Sequence, residues 1–389
     1  MTDVAVVGGG LLGSATAYLL TEQGADVALF EQSQLNSGAS GQNAGSLHFQ
    51  LEYRMLEGGW DKARQAAEAI PLHLESHRLW TQWGELFGER LGVVTRGGLM
   101  VAENEQQAEL LDRKAALERS WGLDVQTLTG RRLREFAPYL AADIPAAAFC
   151  PLEGKANTRA AGPTLAAAAA RQGAAVHVQR EVRSITRRAD RWAVRWTSAD
   201  GRGEVLVDAV VLAAGVWCAG LAEQLGCSLP IIPLALTMMV TDRRPFFLPH
   251  LVQHVGRRLS LKQTTEGNVL IGGGWPARLI GDDDPAAAGF RGELIADSVG
   301  GNAAAATATV PSLRSTAVLR SWVGVTAIAP DQLPLVGALP GSPGIFIATG
   351  GSAFTLGPGF AAVLVQLISG QQPDLDIQPY SPQRFVGAA

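Results

Sequence analysis

Residues 4–13 constrain the fold more than any other part of the sequence. Val4–Val7 is a short β-branched run, typical of a buried parallel strand. The glycines Gly8, Gly10 and Gly13 follow it with the spacing G-x-G-x-x-G, and a stretch of helical composition begins at Ser14. At a strand-to-helix turn, these glycines allow a tight turn, close approach of the backbone to a diphosphate, and close packing of helix on strand. The pattern therefore predicts a nucleotide-binding turn.

The second predicted strand supports a bound nucleotide. Asp26–Phe30 is followed by Glu31, eighteen residues after Gly13. A carboxylate at this position can accept hydrogen bonds from both hydroxyls of an adenosine ribose. Because the residue is an acid and not an arginine, the pattern indicates a ribose without a 2′-phosphate, as in FAD or NAD. The alternative is a glycine-rich turn that binds nothing.

Composition excludes several classes of protein. Hydrophobic residues make up 47% of the 389 residues, so the chain can form a large core and is not disordered. Lys and Arg total 32 against 36 Asp and Glu, without a basic run, which argues against a nucleic-acid partner. The three cysteines contain no C-x-x-C pair, so we expect a reducing compartment, the cytoplasm. The apolar N-terminus lacks a basic region and a cleavage site, so we expect neither a signal peptide nor a transmembrane segment.

The rest of the chain favours FAD over NAD. Residues 36–46 are small or carry amides, and such a loop can place backbone N–H groups along a diphosphate and a flat ring. Further strands are predicted over 175–178, 181–185, 205–213 and 344–348, with helices over 162–172 and 359–369. A nucleotide site built from three segments near residues 8–46, 182–217 and 320–360 is not typical of NAD domains.

These segments together resemble the D-amino acid oxidase-like FAD-dependent oxidoreductases. The resemblance rests on VVGGGLLGSATAYLLTEQGADVALFE, SGASGQNAGS, VVLAAGVW, RSWVGVTAIAPDQLPLVG and LDIQPYSPQRF. It is strongest for glycine oxidase, hydrogen cyanide synthase, and the FAD subunits of opine and D-hydroxyproline dehydrogenases. It implies an α/β fold: a Rossmann-like FAD-binding domain of the glutathione reductase type and an interleaved α+β substrate domain with a mainly antiparallel sheet. The implied boundaries are 1–46, 155–230 and 315–389 for the FAD-binding domain, and 47–154 and 231–314 for the substrate domain.

The resemblance also implies which residues contact non-covalently bound FAD. They come from the glycine turn, the second strand, the loop after it, and three later segments. The implied residues are Gly8, Gly10, Leu11, Leu12, Gly13, Glu31, Gln32, Ser40, Gly41, Gln42, Asn43, Ala44, Gly45, Ser46, Leu47, Val182, Ala213, Ala214, Gly215, Trp217, Gly324, Gly350, Gly351, Ser352, Ala353, Phe354 and Thr355.

Three positions and one segment depart from the patterns of known relatives. Thr326 stands where glycine oxidase-like relatives have an arginine that binds the substrate carboxylate, and a second family arginine is absent from 349–358. Gly324 stands where sarcosine oxidases have the cysteine that attaches flavin, which excludes covalent attachment there. Leu270 replaces their oxygen-activating lysine, which favours a dehydrogenase over an oxidase.

Few residues remain as candidates on the substrate side. His48 directly follows the predicted flavin loop and can orient substrate or accept a proton. Thr326 and Trp275 are further candidates, and Trp275 can form a wall of the substrate pocket. The alternative for both His48 and Trp275 is a purely structural role in packing. Without those arginines, the hydrogen-bond donor for a substrate carboxylate can be His48, Arg54 or a residue of the substrate domain. The pairs His73–His77 and His250–His254 have i,i+4 spacing but no third ligand nearby, so no metal site is predicted.

The expected function is FAD-dependent oxidation of an amino acid or secondary amine, such as a D-amino acid, D-hydroxyproline, D-proline or an opine. Relatives of this type often act as one subunit of a dehydrogenase complex, whose partner subunits carry FMN, FAD or iron–sulfur centres. FMN at a subunit interface is a further expectation. Two alternatives stay open: a stand-alone glycine or sarcosine-type oxidase that produces hydrogen peroxide, and a flavin electron-transfer subunit without its own substrate.

Overall fold

A computed structural model describes residues 3–280 and 290–386 of the chain. Within them, eleven α-helices alternate with strands grouped into five sheets. The strands are β1 (Asp3–Val7), β2 (Asp26–Phe30), β3 (Ser46–Leu47), β4 (Val94–Thr95), β5 (Gly98–Ala102), β6 (Gln126–Thr129), β7 (Ala146–Cys150), β8 (Gly154–Lys155), β9 (Ala175–His177), β10 (Glu181–Arg188), β11 (Arg191–Ser198), β12 (Gly201–Val207), β13 (Ala209–Leu212), β14 (Ile232–Arg243), β15 (Leu251–His254), β16 (Ser260–Gln263), β17 (Asn268–Gly272), β18 (Arg278–Ile280), β19 (Arg291–Glu293), β20 (Val318–Ile328), β21 (Leu335–Ala338) and β22 (Ile345–Thr349). The helices are α1 (Leu11–Glu22), α2 (Ala39–Gln42), α3 (Tyr53–Leu56), α4 (Trp60–Ala67), α5 (Ile70–Phe87), α6 (Glu105–Ser120), α7 (Gly130–Phe136), α8 (Thr158–Arg171), α9 (Cys218–Gln224), α10 (Ala296–Thr309) and α11 (Ala353–Ile368).

The first sheet has six strands in the order β21-β22-β13-β1-β2-β9, and all its neighbours are parallel except β21 and β22. Both faces of its central strand are buried, as the apolar run 4–7 predicts. Val4 and Val6 belong to one hydrophobic core, and Ala5 and Val7 belong to the core on the opposite face. This is the Rossmann-like unit expected from the sequence.

The second large sheet has eight strands in the order β20-β14-β17-β16-β15-β5-β7-β6. All its neighbouring pairs are antiparallel except β5 and β15. Its core packs around Met239, Leu261 and Ala306, and α10 contributes to that core. The mixed α/β fold with a mainly antiparallel second sheet is therefore confirmed. The exact domain boundaries stay a prediction, and β20 within 315–389 joins the eight-stranded sheet.

Two predicted elements differ from the structure. The predicted single strand 205–213 is two strands: β12 pairs with β11 in a three-stranded sheet, and β13 pairs with β1. The apolar pattern runs through both strands, so it could not show that the chain changes sheet at Asp208. The last helix, α11, begins at Ala353 and not at residue 359, although Pro358 lies inside it. Its glycines pack tightly: a Cβ on Gly359 would lie 2.9 Å from the Leu72 side chain on α5.

Candidate functional site

One cavity of about 560 Å³ lies at the carboxyl ends of the parallel strands. This edge of an open α/β sheet is where nucleotides commonly bind, and the volume is typical of ligand sites. Predicted residues from all three sequence segments line it. They are Gly8, Gly10, Leu12, Glu31, Gln32, Ser40, Gln42, Val182, Ala213, Ala214, Gly215, Trp217, Thr326, Gly350 and Ala353. The structure thus brings together segments that lie up to about 340 residues apart in the sequence.

The glycine turn has the geometry that a bound diphosphate needs. Gly8 has φ +113°, and a Cβ there would overlap the carbonyl group of Ala213. A Cβ on Gly13 would overlap the carbonyl oxygen of Gly8, so α1 can pack directly on the turn. A Cβ on Gly10 would lie 2.9 Å from the Ser40 Oγ, and that oxygen accepts a 3.0 Å hydrogen bond from the Leu11 N–H. The backbone is therefore open to a ligand at the positive N-terminus of α1.

Glu31 lies in the same cavity with a carboxylate held by backbone donors. The N–H of Gly9 donates to its Oε2 at 2.7 Å, and the N–H of Ser33 donates to its Oε1 at 2.8 Å. Burial raises the pKa of Glu31, and these two hydrogen bonds oppose the increase. A carboxylate has about four acceptor positions, so two remain for the hydroxyls of a ribose. The cavity and its donors fit the adenosine and diphosphate parts of FAD.

At the opposite end of the cavity, the N-terminus of α11 is held in an uncommon conformation. Ser352, its N-cap, is one of five non-glycine residues with positive φ (57°) in the described part of the chain. Its Oγ accepts a 2.8 Å hydrogen bond from Arg54 and donates to Glu52 at 2.5 Å. Arg54 also donates to Gln332 at 2.6 Å and lies against Gly351, where a Cβ would be 2.9 Å from its Nη1. This network fixes the α11 N-terminus, whose dipole favours negative charge in the cavity.

Glu52 carries the negative charge of that network. Burial by itself would raise its pKa, but the Arg54 guanidinium and the hydrogen bonds from Ser352 and Arg54 lower it to about 2. Its side chain is ionised at neutral pH and forms a 3.4 Å ion pair with Arg54. Arg54 is consequently already paired, which weakens the expectation that it binds a substrate carboxylate.

Two buried carboxylates hold the backbone between His48 and Glu52. The first belongs to Glu153, whose Oε1 accepts hydrogen bonds of 2.9 Å from the N–H groups of Phe49 and Gln50. Its Oε2 accepts a 3.1 Å hydrogen bond from the Gln50 side chain. Glu153 has no exposed surface, and burial raises its pKa to about 7. Gly98 is required beside it, since a Cβ there would overlap the carboxylate.

The second carboxylate belongs to Glu118 on α6. Its Oε1 accepts a 2.7 Å hydrogen bond from the Leu51 N–H. Lys114, one helical turn earlier, pairs with Glu118 at 2.7 Å and donates to the Gln50 Oε1 at 3.0 Å. Both side chains have no exposed surface, and breaking such a buried pair would leave a charge uncompensated. We call Gln50, Lys114, Glu118 and Glu153 the buried clamp; it fixes the segment that carries the candidate residues His48 and Arg54.

His48 is almost completely buried beside the eight-stranded sheet. Its Nε2 shares a 2.9 Å hydrogen bond with the Ser260 Oγ on β16, and its Nδ1 has no partner among the described residues. Burial lowers the pKa of His48 to about 4, so the ring is neutral near pH 7. Two residues beyond Ser260 on β16 is Lys262, which pairs across the sheet with Leu270. A lysine therefore lies directly across from position 270 on the adjacent strand.

Trp275 lies outside the cavity lining. Its indole N–H donates to the Arg258 carbonyl at 2.8 Å, and its ring packs on Gly301 of α10, where a Cβ would overlap the ring. Thr326 on β20 lines the cavity beside Thr349 and Gly350. Of the three substrate-side candidates, Thr326 lines the cavity, whereas His48 and Trp275 do not.

The remaining predicted cofactor residues lie outside the cavity lining, where they make packing and hydrogen-bond contacts. Gly324 lies near Gln42, whose carbonyl also accepts a 2.8 Å hydrogen bond from the Trp322 indole. Phe354 packs on Trp80, and Thr355 donates to the Ser46 carbonyl at 3.1 Å. The predicted residues that do not line the cavity are Leu11, Gly13, Gly41, Asn43, Ala44, Gly45, Ser46, Leu47, Gly324, Gly351, Ser352, Phe354 and Thr355.

Several residues of this region carry no recognisable sequence signal. Arg180, Phe290 and Arg291 also line the cavity, as does Asn36 at the start of the predicted loop 36–46. Asn36 has φ +66°, a conformation in which asparagine is enriched, and its amide donates to the Thr158 carbonyl at 2.5 Å. The clamp residues and Glu52 resemble ordinary polar positions in the sequence. Lys114 and Glu118 in particular have the i,i+4 spacing of a solvent-exposed helical pair.

The histidine pairs have other partners. His73 Nδ1 hydrogen-bonds the Phe49 carbonyl at 2.8 Å, and His250 Nδ1 hydrogen-bonds the Tyr139 hydroxyl at 2.6 Å. In the described ranges, no three His, Cys, Asp or Glu side chains are arranged to hold a metal ion. All three cysteines are buried free thiols. None of the helices formed by residues 3–280 and 290–386 combines the length and hydropathy needed to cross a bilayer.

Comparisons with known proteins agree with this geometry. The family model described as FAD dependent oxidoreductase matches residues 3–367. Glycine oxidase of Geobacillus kaustophilus is 29% identical over 99% of this chain and 97% of its own length, and its crystal structure superposes with a TM-score of 0.84. A subunit of the opine oxidase of Rhizobium meliloti is 26% identical over 98% of this chain and 97% of its length. Mouse mitochondrial sarcosine dehydrogenase is 27% identical over 98% of this chain, which spans 41% of that protein.

Proposed function

Because the chain belongs to the family of FAD-dependent oxidoreductases, we propose that it oxidises the carbon next to the nitrogen of an amino acid or secondary amine. The proposed substrates are a D-amino acid, D-hydroxyproline, D-proline or an opine. The observation that carries the proposal is the single cavity of about 560 Å³ that joins the glycine turn, Glu31 and the N-terminus of α11. The matches to glycine oxidase and to the opine oxidase chain support an amine-bearing substrate.

The residues of the cavity form two groups, one proposed to bind FAD and one proposed to border the reaction site. At one end, Glu31 and the N-terminus of α1 hold the ribose and diphosphate of FAD. At the other end, Thr326 and Gly350 border the reaction site. When bound, FAD would supply the acceptor for the two electrons and the α-hydrogen lost when the substrate amine is oxidised to an imine, which water then hydrolyses. The positive end of the α11 dipole would stabilise negative charge on a group bound at that end of the cavity.

The protein's own contribution to the reaction is positioning and proton control. The buried clamp fixes residues 49–51, and the Arg54–Ser352 network fixes the N-terminus of α11 at the cavity. Hydride transfer requires a neutral amine. His48 is neutral near pH 7, and with a pKa of about 4 it is too weak a base to take the proton of an ammonium group, so its proposed role is to orient the substrate. Glu52, four residues after His48, is ionised at neutral pH and adds a negative charge to the segment that carries His48.

We further propose that the chain works in the cytoplasm as the FAD subunit of a dehydrogenase complex. Leu270 in place of the oxygen-activating lysine supports a dehydrogenase, although Lys262 places an amine on the neighbouring strand. The similarity to one chain of a multi-subunit opine oxidase supports a role within a complex. The cysteines of this chain are three separate thiols, so an iron–sulfur centre would come from a partner. Partners carrying FMN or FAD, including FMN at the interface, belong to the same proposal.

The second candidate is a stand-alone oxidase that produces hydrogen peroxide, favoured by the match to glycine oxidase over nearly the whole chain. Anaerobic mixing of the purified yellow protein with D-proline, D-hydroxyproline, glycine, sarcosine and opines tests both candidates. We expect at least one compound to bleach the flavin band, with dye reduction faster than peroxide formation. Equal rates of dye reduction and peroxide formation would favour the oxidase. Bleaching by none would refute amine oxidation and leave an electron-transfer subunit.

A further inference from the structure

Arg180 lines the cavity and forms no ion pair with a carboxylate of the described residues. It is half-buried and lines the cavity together with Glu31. Within residues 3–280 and 290–386, its guanidinium makes one hydrogen bond, from Nη1 to His177 Nδ1 at 2.9 Å. Burial and the charge of Arg180 lower the pKa of His177, so this acceptor is neutral near pH 7. The neighbouring arginine of the cavity wall, Arg183, is instead paired with Glu181 at 2.8 Å. Arg180 therefore keeps an uncompensated positive charge at the wall of the cavity.

A tryptophan supports one side of the Arg180 guanidinium. The guanidinium carbon lies over the Trp196 ring, 4.2 Å from its centroid. Trp196 is the cross-strand partner of Val182 in the β10–β11 ladder, so these two side chains lie on the same face of their sheet. The Trp196 ring also packs on its partner Gly203 in β12, where a Cβ would overlap the ring. The sheet thus holds the ring, and the ring supports the guanidinium.

The other side of the guanidinium is available to a ligand. Arg180 and Val182 line the cavity, whereas Trp196 does not. The guanidinium is therefore the layer between the tryptophan ring and the cavity. Guanidinium groups are planar, and they stack on nucleobases as well as on aromatic side chains.

Adenine is the part of FAD that would reach this wall. The backbone N–H of Arg180 donates to the Glu31 carbonyl at 2.8 Å, so Arg180 lies directly beside the residue proposed to bind the ribose. Adenine is bonded to that ribose on the side away from the diphosphate. With the diphosphate at the turn formed by Gly8 and Gly10, the base extends past Glu31 toward Arg180 and Val182.

We propose that the guanidinium of Arg180, supported by Trp196, stacks on the adenine ring of FAD. This inference rests on the FAD site of the proposed function, and it concerns recognition of the cofactor and not of the amine. A planar cation attracts the π-system of a nucleobase and covers one of its faces. Trp196 is a positioning residue, because it acts on adenine only through Arg180.

The test is titration of the apoprotein with FAD, followed by quenching of flavin fluorescence. A urea unfolding curve first confirms that each variant is folded. Arg180→Leu removes the guanidinium, and Arg180→Lys keeps the charge without the planar group. Trp196→Leu removes the support, whereas Trp196→Phe keeps an aromatic face. The matched control is Arg187→Leu, since Arg187 lies 5.1 Å from the centroid of the Trp192 ring in the same sheet but outside the cavity lining.

Arg180→Leu and Arg180→Lys should each bind FAD about tenfold more weakly than the wild type. Trp196→Leu should lose a similar factor, and the double variant Arg180→Leu/Trp196→Leu should lose about tenfold in total, because both changes remove the same contact. Trp196→Phe and Arg187→Leu should stay within about threefold of the wild-type affinity.

Wild-type FAD affinity in folded Arg180→Leu would overturn the inference. Wild-type affinity in Arg180→Lys alone would also overturn it, since charge without a planar face would then suffice, as for a contact with phosphate. Additive losses in the double variant would refute the role of Trp196 in positioning Arg180. FAD binding needs no turnover, so these outcomes are independent of whether any amine bleaches the flavin.

Discussion

Replacement of Glu31 by alanine tests the proposed orientation of FAD in the cavity. The two carboxylate oxygens each accept one backbone N–H, from Gly9 at 2.7 Å and from Ser33 at 2.8 Å. Two acceptor positions remain for the ribose hydroxyls. A hydrogen bond to a charged group contributes about 1.5–3 kcal/mol, so loss of both ribose bonds should cost about 3–6 kcal/mol. This corresponds to a decrease in FAD affinity of about 10²–10⁴-fold, at about 1.4 kcal/mol per factor of ten.

The assay is titration of the apoprotein with FAD, followed by quenching of flavin fluorescence. Glu31→Ala also loses both backbone bonds, so its urea unfolding curve is recorded first to confirm a cooperative fold. Glu181→Gln is the matched control, since Glu181 lines the same cavity but pairs with Arg183 at 2.8 Å on its rim. FAD affinity of folded Glu31→Ala within threefold of the wild type would show that the ribose does not lie at Glu31.

Three other substitutions test other parts of the site. Gly10→Val should yield protein without flavin, because its Cβ would lie 2.9 Å from the Ser40 Oγ and its methyl groups would occupy the diphosphate path; a wild-type ratio of flavin to protein absorbance would contradict this. Glu153→Gln should alter the pH dependence of stability measured by urea unfolding. Burial raises the pKa of Glu153 from 4.5 to about 7, so folded Glu153 retains a proton that the unfolded chain releases. Its contribution to wild-type stability should fall by about 1.4 kcal/mol per pH unit between those values and stay constant above them; parallel curves for wild type and variant would disprove the shift. Arg54→Gln should lower the free energy of unfolding by about 1–3 kcal/mol through loss of its bonds to Ser352 and Gln332, and a change below about 0.5 kcal/mol would show that this network is not stabilising.

Local patterns predicted the nucleotide half of the protein well. The run 4–7, the glycine spacing and Glu31 all depend on short-range rules of strand, turn and helix, and the structure places Gly8, Gly10 and Glu31 in one cavity. Strand 26–30 has the predicted limits. Prediction was poorer where tertiary contacts decide the outcome. The sequence predicts a last helix from residue 359, but packing against α1 and α5 accompanies a helix that begins at Ala353.

The polar residues around the reaction site show the same limit. Only four of the 32 basic residues are lysines, and nothing in the local sequence separates Lys114 and Lys262 from a surface lysine. Both are buried, one paired with Glu118 and the other facing Gly45. Likewise, the sequence shows only a leucine at position 270, whereas the β16–β17 register places Lys262 directly across from it.

The sequence alone determined that this chain binds a dinucleotide at a strand-to-helix turn, because glycine spacing and one acidic residue act through the local backbone. Only the tertiary structure decided which polar side chains are buried, which are paired and which are left without a partner. Burial and pairing depend on contacts between residues that are often more than a hundred positions apart, as between Glu153 and Phe49 or Arg54 and Ser352. The cost of a buried charge depends on those contacts, so the burial of Lys262 is decided by the fold and not by its local sequence.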